Sequence, residues 1–283
     1  MNRQRSFKED DKGSLYLIPT PIGNINDISL RAIETLKSVS LILCEDTRES
    51  LKLLKKIGVS NKLVSSNEQN EVTRIEMVTN LLSLNEDVGL ISDRGTPTIS
   101  DPGYELVRAV LKEGYKVISL PGPTAITTAL SASGLEPEPF YFHGFLRGNN
   151  NKKKKTLESL KNMEATLIFY EAPHHLLTTL NLMNEVFGNR RVVLARELTK
   201  LYEEYTRGTL DDICANMNQD LVKGEYVILV ERGSSNIDFS GLSINEHVNM
   251  YIEEGKSQMD AIKMVASDLD KPKSEIYKIY HRG

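Results

Sequence analysis

Short apolar segments alternate with longer amphipathic stretches from Ser14 to Leu120, and this alternation constrains the fold more than any other feature of the chain. Continuous apolar segments separated by stretches of helical period indicate βαβ units and a parallel sheet, because such strands are buried on both faces. The predicted strands are residues 15–18, 41–44, 62–65, 88–91 and 116–120, and the predicted helices between them are residues 30–39, 48–57, 71–84 and 104–112.

The second half of the chain has a different pattern. Strands are predicted at residues 140–142, 166–170, 192–195, 203–207 and 226–230, with helices at 156–163, 176–187 and 210–217. The short spacing between the third and fourth of these strands suits an antiparallel hairpin, so we expect a mixed sheet. The fold class is therefore α/β, with two α/β domains, a cleft between them and a small C-terminal helical tail.

Domain boundaries follow from breaks in these patterns. Pro121-Gly-Pro123 interrupts the chain directly after the fifth strand. We expect a flexible N-terminus (1–13), an N-terminal α/β domain (14–121), a second α/β domain (122–234) and a C-terminal helical segment (240–283) with three short helices.

Composition excludes several classes of protein. The 35 Lys and Arg against 39 Asp and Glu give a net charge of −4, which argues against a protein that coats nucleic acid, although a local basic face remains open. Two cysteines are too few for a disulfide framework or a Cys-rich zinc site, and His174 and His175 lack partners at metal-ligand spacing. Those observations predict a protein without a metal. No apolar segment has the length of a membrane span or the pattern of a signal peptide, so we also expect a cytoplasmic protein.

Three loops rich in Gly and Pro follow strands of the first predicted sheet: residues 19–24, 92–103 and 121–125. The carboxyl ends of parallel strands are where ligands of such sheets bind, and Gly lets the backbone approach a ligand closely. Asp93 suits an ammonium, a ribose hydroxyl or a sulfonium. None of the loops matches G-x-G-x-x-G or the P-loop pattern, so a nucleoside-like ligand bound in another geometry is expected.

These loops are part of an ordered series of motifs that resembles one family. The series comprises Leu15-Tyr-Leu-Ile-Pro-Thr-Pro-Ile-Gly-Asn24, Cys44-Glu-Asp-Thr-Arg48, Ser92-Asp-Arg-Gly-Thr-Pro97, Ser100-Asp-Pro-Gly103, Pro121-Gly-Pro123, Phe142-His-Gly-Phe145, Tyr170-Glu-Ala-Pro-His174, Arg196-Glu-Leu-Thr-Lys200 and Gly224-Glu-Tyr-Val227. It resembles the small-subunit ribosomal RNA methyltransferases I, a family of the tetrapyrrole methylase superfamily. One departure is Arg94, which lies where the family pattern has a small residue.

The resemblance implies an S-adenosylmethionine-dependent enzyme that 2′-O-methylates a cytidine ribose of 16S rRNA. It also implies that the methyl donor lies in the cleft between the two α/β domains, that the partner is 16S rRNA or the small ribosomal subunit, and that the enzyme is a homodimer. The donor-binding residues carried over by motif are Pro21, Gly23, Asp93, Thr96, Pro97, Ser100, Thr124, Ala125, Tyr170, Glu171, Glu225 and Tyr226.

Catalytic and RNA-binding candidates come from the charged clusters beside this cleft. A ribose hydroxyl is a weak nucleophile until its proton leaves, so a nearby base would help. In these clusters a carboxylate could accept that proton, and a Lys or Arg could hold a phosphate. Asp46 and Lys200 are the catalytic candidates. The candidates for phosphate contacts are Arg48, Arg196 and the basic run of Lys152, Lys153, Lys154 and Lys155.

Plainer interpretations stay open for each of these features. A single Gly/Pro loop is commonly just a turn into a helix, a run of lysines is commonly a solvated face, and Arg196-Glu197 suits a surface ion pair. At the level of function, the alternatives are a tetrapyrrole methylase acting on a corrin precursor and a non-catalytic ribosome-assembly factor that only binds RNA.

Overall fold

The computed structural model describes residues 3–6, 12–67, 70–217, 222–233, 242–253, 255–269 and 271–281. The chain divides into a larger unit (Met1–Lys161 with Ala165–Arg232) and a smaller unit (Asn162–Glu164 with Gly233–Gly283). Both sheets fall within the larger unit, so the boundary after residue 121 stays a prediction. The boundary expected between 234 and 240 lies outside the described residues, as does much of the expected N-terminal segment.

The first sheet contains five strands in the order β3-β2-β4-β1-β5, and every pairing between them is parallel. The predicted alternation is thus confirmed. Strands β1, β2 and β4 are almost wholly buried, in keeping with their continuous apolar sequence. The strands are β1 (Ser14–Leu17), β2 (Leu41–Cys44), β3 (Leu63–Ser65), β4 (Val88–Leu90) and β5 (Lys116–Ser119).

Helices cover both faces of this sheet. They are α1 (Leu30–Ser38), α2 (Thr47–Lys56), α3 (Glu71–Ser83) and α4 (Tyr104–Lys112). Leu36 of α1 and Leu54 of α2 pack with Ile42 in one buried cluster, whereas Leu82 of α3 and Leu106 of α4 belong to another. The two clusters fix the sheet between two helical layers and leave the carboxyl ends of its strands to the loops.

The second sheet is mixed, as predicted, with the order β6-β7-β10-β8-β9. Strands β6 and β7 are parallel, and the remaining pairs are antiparallel, including the predicted β8–β9 hairpin. The strands are β6 (Phe140–Phe145), β7 (Thr166–Glu171), β8 (Arg191–Arg196), β9 (Glu204–Thr209) and β10 (Tyr226–Val230), and the helices of this half are α5 (Ala125–Ser133), α6 (Asn150–Leu160), α7 (Leu176–Phe187) and α8 (Leu210–Asn216).

The smaller unit contains the three predicted helices, α9 (Ile244–Glu253), α10 (Gln258–Asp268) and α11 (Lys273–Tyr280). Its apolar core, which includes Val248, Ile262 and Ile276, comes from these three helices. Asp268 accepts a hydrogen bond from the Tyr251 hydroxyl at 2.8 Å and lies 3.0 Å from Nε2 of the buried His247. Across the described part of the chain, none of the helices combines the length and the apolar composition of a membrane span.

Candidate functional site

The loops after β1, β4 and β5 meet the second sheet around a cavity of about 420 Å³, within the size range of ligand sites. Loops and strand ends of the second sheet form the opposite wall. The lining residues are Ile22, Arg94, Gly95, Thr96, Ile99, Ser100, Asp101, Thr124, Ala125, Phe145, Tyr170, Glu171, Ala172, Pro173, Glu197, Leu198, Lys200, Glu225, Tyr226 and Val227.

Most of the predicted donor-binding residues come together at this cavity. Eight of the twelve line it: Thr96, Ser100, Thr124, Ala125, Tyr170, Glu171, Glu225 and Tyr226. The other four, Pro21, Gly23, Asp93 and Pro97, lie in the same loops beside lining residues but do not line the cavity themselves. Motifs far apart in the sequence thus converge on one site.

Backbone and hydroxyl hydrogen bonds hold the three Gly/Pro loops together. The Thr20 and Gly95 backbones exchange two hydrogen bonds of 2.8 and 3.1 Å, and the Thr20 hydroxyl donates to the Ser92 carbonyl. The Thr96 hydroxyl donates to the Pro123 carbonyl at 3.2 Å. Thr96 therefore joins the second loop to the third, in addition to lining the cavity.

Gly23 lies at a close approach between the first loop and the loop that follows β8. A Cβ atom at this position would lie 2.5 Å from Cγ of Lys200 and 2.7 Å from Oγ1 of Thr199. The Asn24 amide donates to the Thr199 hydroxyl at 2.9 Å across this contact. Gly23 thus has a role in packing one loop against another.

An ion-pair network at the cavity connects both halves of the larger unit. Arg94 of the loop after β4 pairs with Glu225, which precedes β10. Glu225 also pairs with Lys200 at 3.2 Å, and Lys200 contacts Glu197 at 2.8 Å. The Lys200 hydrogen bond lowers the pKa of Glu197 below its usual range. The catalytic candidate Lys200 therefore lies in the cavity, held between two carboxylates.

From the sequence, Glu197 suits a surface ion pair with Arg196 and is not among the predicted site residues, although it lies inside the motif that contains Lys200. Its backbone has a φ of 49°, and Thr199 in the same loop has a φ of 64°. Both values are rare for residues with a side chain. A left-handed turn of this kind brings Glu197 back toward Lys200. The residue types of the motif do not predict such a turn.

Asp101 is the second residue missed in the sequence. It lines the cavity, and burial together with the nearby Glu45 and Asp93 raises its pKa to about 7. Burial, with a contribution from Asp101, also raises the pKa of Tyr170 to about 12. Asp101 is part of the Ser100–Gly103 motif, and that motif is the signal that could have identified it.

Asp46, the other catalytic candidate, lies outside the cavity lining. Its carboxylate caps α2 by accepting from the Arg48 amide at 2.8 Å and binds the Arg48 side chain through both oxygens. These hydrogen bonds lower the pKa of Asp46 to about 2. A carboxylate with so low a pKa is a weak proton acceptor at neutral pH. Arg48 itself remains exposed.

The basic run forms the first turns of α6, and its four lysines differ in environment. Lys153 is buried with 6% of its surface exposed, and its ammonium lies 3.5 Å from Glu171 and 3.2 Å from the Thr179 hydroxyl. The prediction that Lys153 contacts RNA is therefore wrong in this structure, because a buried ammonium cannot reach a phosphate. Lys154 pairs with Glu185, whereas Lys152 and Lys155 are exposed.

Arg196 is held by the chain around it. Its Nε donates to the Lys223 carbonyl at 2.7 Å, and its guanidinium pairs with Glu204 at 2.9 Å. It does not line the cavity. His174 and His175 lie ring to ring with centroids 4.1 Å apart, and the described residues contain no cluster of three or more His, Cys, Asp or Glu side chains suited to a metal.

Comparison with known proteins places this site in a family. Residues 14–214 match the model of the tetrapyrrole (corrin/porphyrin) methylases. The ribosomal RNA small subunit methyltransferase I of Bacillus subtilis is 45% identical, with 99% of each chain covered. The Rickettsia prowazekii protein of the same name is 40% identical, with 96% of this chain and 97% of its own covered. The chain belongs to the ribosomal RNA small subunit methyltransferase I family.

Solved structures support the fold expected for this family. The methyltransferase CobJ has a TM-score of 0.58 at 18% identity, covering 78% of this chain and 94% of its own. A diphthine synthase has a TM-score of 0.60 at 14% identity, covering 78% of this chain and 90% of its own. The two sheets of this rRNA methyltransferase I family member thus adopt a tetrapyrrole methylase-like fold.

Proposed function

We propose that the protein transfers a methyl group from S-adenosylmethionine to the 2′-hydroxyl of a cytidine ribose in 16S rRNA. The observation that carries this proposal is the gathering of eight predicted donor-binding residues around one cavity in a member of the rRNA methyltransferase I family. We further propose a homodimer that acts in the cytoplasm, where its ribosomal substrate is found.

The chemistry of the lining residues fits the proposed donor. The apolar side chains of Ile22, Ile99, Leu198 and Val227 suit an adenine ring. The hydroxyls of Thr96 and Thr124 and the carboxylates of Glu171 and Glu225 suit ribose hydroxyls and an ammonium. When bound, the donor supplies an electrophilic methyl group on a cationic sulfur.

The residues of the chain then position the acceptor oxygen and contact the RNA backbone. A large part of the rate of such a transfer comes from holding the acceptor oxygen in line with the methyl carbon. The tied loops supply that rigidity, and Lys200 offers a cation at the cavity for an acceptor-side phosphate. The exposed Arg48, Lys152 and Lys155 suit phosphates farther along the RNA, whose contacts give affinity independent of sequence.

A tetrapyrrole substrate fits this cavity less well. A corrin precursor carries many carboxylates and needs several cations. The residues that line the cavity include two cations, Arg94 and Lys200, against four carboxylates, Asp101, Glu171, Glu197 and Glu225. This charge pattern favours the RNA substrate.

The experiment measures methylation and donor binding in parallel. Small ribosomal subunits from a strain without this methylation receive the protein and labelled S-adenosylmethionine, and the labelled nucleotide is mapped. We expect one 2′-O-methylated cytidine in 16S rRNA. A parallel reaction contains a corrin precursor in place of the subunits. Label in that precursor but not in the subunits, or subunit binding without donor binding, would refute the proposal.

Matched variants connect that activity to the cavity. Thr124→Val removes a lining hydroxyl, and we expect calorimetry to show donor affinity about two- to tenfold weaker, the equivalent of one hydrogen bond between neutral groups. Thr127→Val makes the same change at an exposed position of α5 and should leave affinity unchanged. Equal donor affinities of the two variants would show that the donor does not bind in this cavity.

A further inference from the structure

Four carboxylates line the cavity, and three of them are already bound to a cation. Glu197 pairs with Lys200, and Glu225 pairs with both Arg94 and Lys200. Glu171 accepts from the Thr179 hydroxyl at 2.6 Å and from the Ala172 amide at 2.9 Å, and the buried Lys153 lies beside it. In each of these three groups, at least one carboxylate oxygen is therefore occupied by a cation of the protein itself.

Asp101 is the fourth, and its surroundings differ. Within the described part of the chain, it forms no ion pair with Lys or Arg. The groups near it are the Ser92 hydroxyl, which lowers its pKa, and Glu45, Asp93 and Tyr170. Burial disfavours a negative charge on Asp101, and repulsion by Glu45 and Asp93 adds to that effect. Its pKa of about 7 is close to that of an efficient proton acceptor at neutral pH.

The backbone fixes Asp101 in this position. It follows Ser100, which has a φ of 66°, and Thr98 in the same loop has a φ of 73°. Gly103 then caps α4 with a φ of 123°. Backbone conformations of this kind are costly for residues with a side chain and persist where the surrounding structure enforces them, as at functional sites. The loop thus directs one unpaired carboxylate to the cavity.

We propose that Asp101 accepts the proton of the ribose 2′-hydroxyl during methyl transfer. The 2′-oxygen forms a bond to the methyl carbon while the bond from that carbon to sulfur breaks, and its electron pair stays on sulfur to leave a neutral thioether. The hydroxyl proton passes to the Asp101 carboxylate and from there to solvent. This inference rests on the function proposed above.

Asp46 and Asp93 are two other aspartates near Asp101 that could accept this proton in its place. Asp46 is bound by Arg48 through both oxygens and has a pKa of about 2. Asp93 lies beside Asp101 without lining the cavity, and the Asp46 amide lies 3.4 Å from its Oδ1 as a donor. Neither combines a free carboxylate with access to the cavity.

The test compares Asp101→Asn with Asp211→Asn in single-turnover methylation of small subunits between pH 5 and 9. Asp211 accepts a hydrogen bond from the Asn184 amide through one oxygen, which an Asn side chain can also accept, so it is the matched control. We expect the wild-type and control rates to rise with pH through an inflection near 7. Asp101→Asn should lose at least about a hundredfold in rate, together with the inflection.

Donor binding by calorimetry separates this inference from the proposed function. Asp101→Asn should bind S-adenosylmethionine within about threefold of the wild-type affinity, and Asp101→Glu should regain part of the rate and the inflection. Failure of the wild type to bind the donor or methylate subunits would refute the proposed function itself.

Two results with an active wild type would overturn the inference. An inflection that survives in Asp101→Asn but disappears in Asp46→Asn would assign the proton to Asp46. A donor affinity lost in Asp101→Asn with the inflection unchanged would make Asp101 a donor ligand.

Discussion

The missing side chain of Gly23 allows two loops from different sheets to pack directly against each other. Lys200, Thr199 and the carbonyl of Leu198 all lie within 2.8 Å of the position that a Cβ atom would occupy. Motif resemblance selected Gly23 as a donor-binding residue, but its neighbours are protein atoms. This packing explains why glycine is required there without any contact to a ligand.

Gly23→Ala should lower the free energy of unfolding by about 1–3 kcal/mol, the usual cost of overpacking. The same change should reduce methylation, because the loop that carries Lys200 has to shift. Gly208→Ala in β9 is the control, since its nearest neighbour, Cγ1 of Ile213, lies 3.5 Å from the new Cβ. Urea unfolding and subunit methylation measure both effects, and a Gly23→Ala protein as stable as the control would show that the loops do not need this contact.

At the same scale, the sequence motifs contain the carboxylates of the site, but the residue pattern does not show how each of them ionises. Asp46 and Asp101 both lie in recognised motifs. The pKa of Asp46 is low because Arg48 binds it, whereas the pKa of Asp101 is raised by burial and by the nearby Glu45 and Asp93. Asp93 and Asp101 belong to one loop, but Glu45 reaches them from the end of another strand. Such neighbours depend on tertiary structure, which the residue pattern of either motif does not contain.

Among the elements, α6 shows how helix phase divides a run of identical residues. Asn149 caps the helix by accepting from the Lys152 amide at 3.0 Å, so the lysines fall in its first turns. Lys153 then shares the buried face with Leu157 and Leu160, four and seven positions on. The sequence predicts this helix over residues 156–163, whereas it begins at Asn150, and the earlier start is what places Lys153 on the buried face.

Lys153→Met should destabilise the protein by about 3–5 kcal/mol, because it removes the ammonium beside the buried Glu171. Lys155→Met, two residues along the same helix, changes an exposed lysine and should stay within about 0.5 kcal/mol of the wild type. Urea unfolding at neutral pH gives both values. Equal losses of unfolding free energy for the two substitutions would show that Lys153 is not buried beside Glu171.

For the whole molecule, each strand and helix could be predicted from its own residues, but the contacts between them could not. The strand order β3-β2-β4-β1-β5 depends on which faces pack, and this is a property of the assembled sheet. The pair between Arg94 and Glu225 joins loops from different sheets. The sequence marked Arg94 as unusual, and its partner became apparent only in the fold.

The smaller unit has a core of its own, and this leads to a prediction about local stability. Ile262→Ala should lower the stability of that unit by about 2–5 kcal/mol, because Ile262 is fully buried between its helices. Ile279→Ala, at an exposed position of α11, is the control. Hydrogen exchange should become faster at amides of α9–α11 and stay unchanged at β10. Equal acceleration in β10 would show that the two units unfold together.

Ile22 belongs to the loop after β1, yet it packs in the apolar cluster of the second sheet with Ile168, Val193 and Val227. A hinge rotation that separated the two sheets would withdraw this side chain into water, at a cost of about 1.5–3 kcal/mol. Product release by swinging the halves apart is therefore disfavoured. Turnover is instead expected to depend on rearrangement of individual side chains that line the cavity, while Ile22 keeps its place in the apolar cluster.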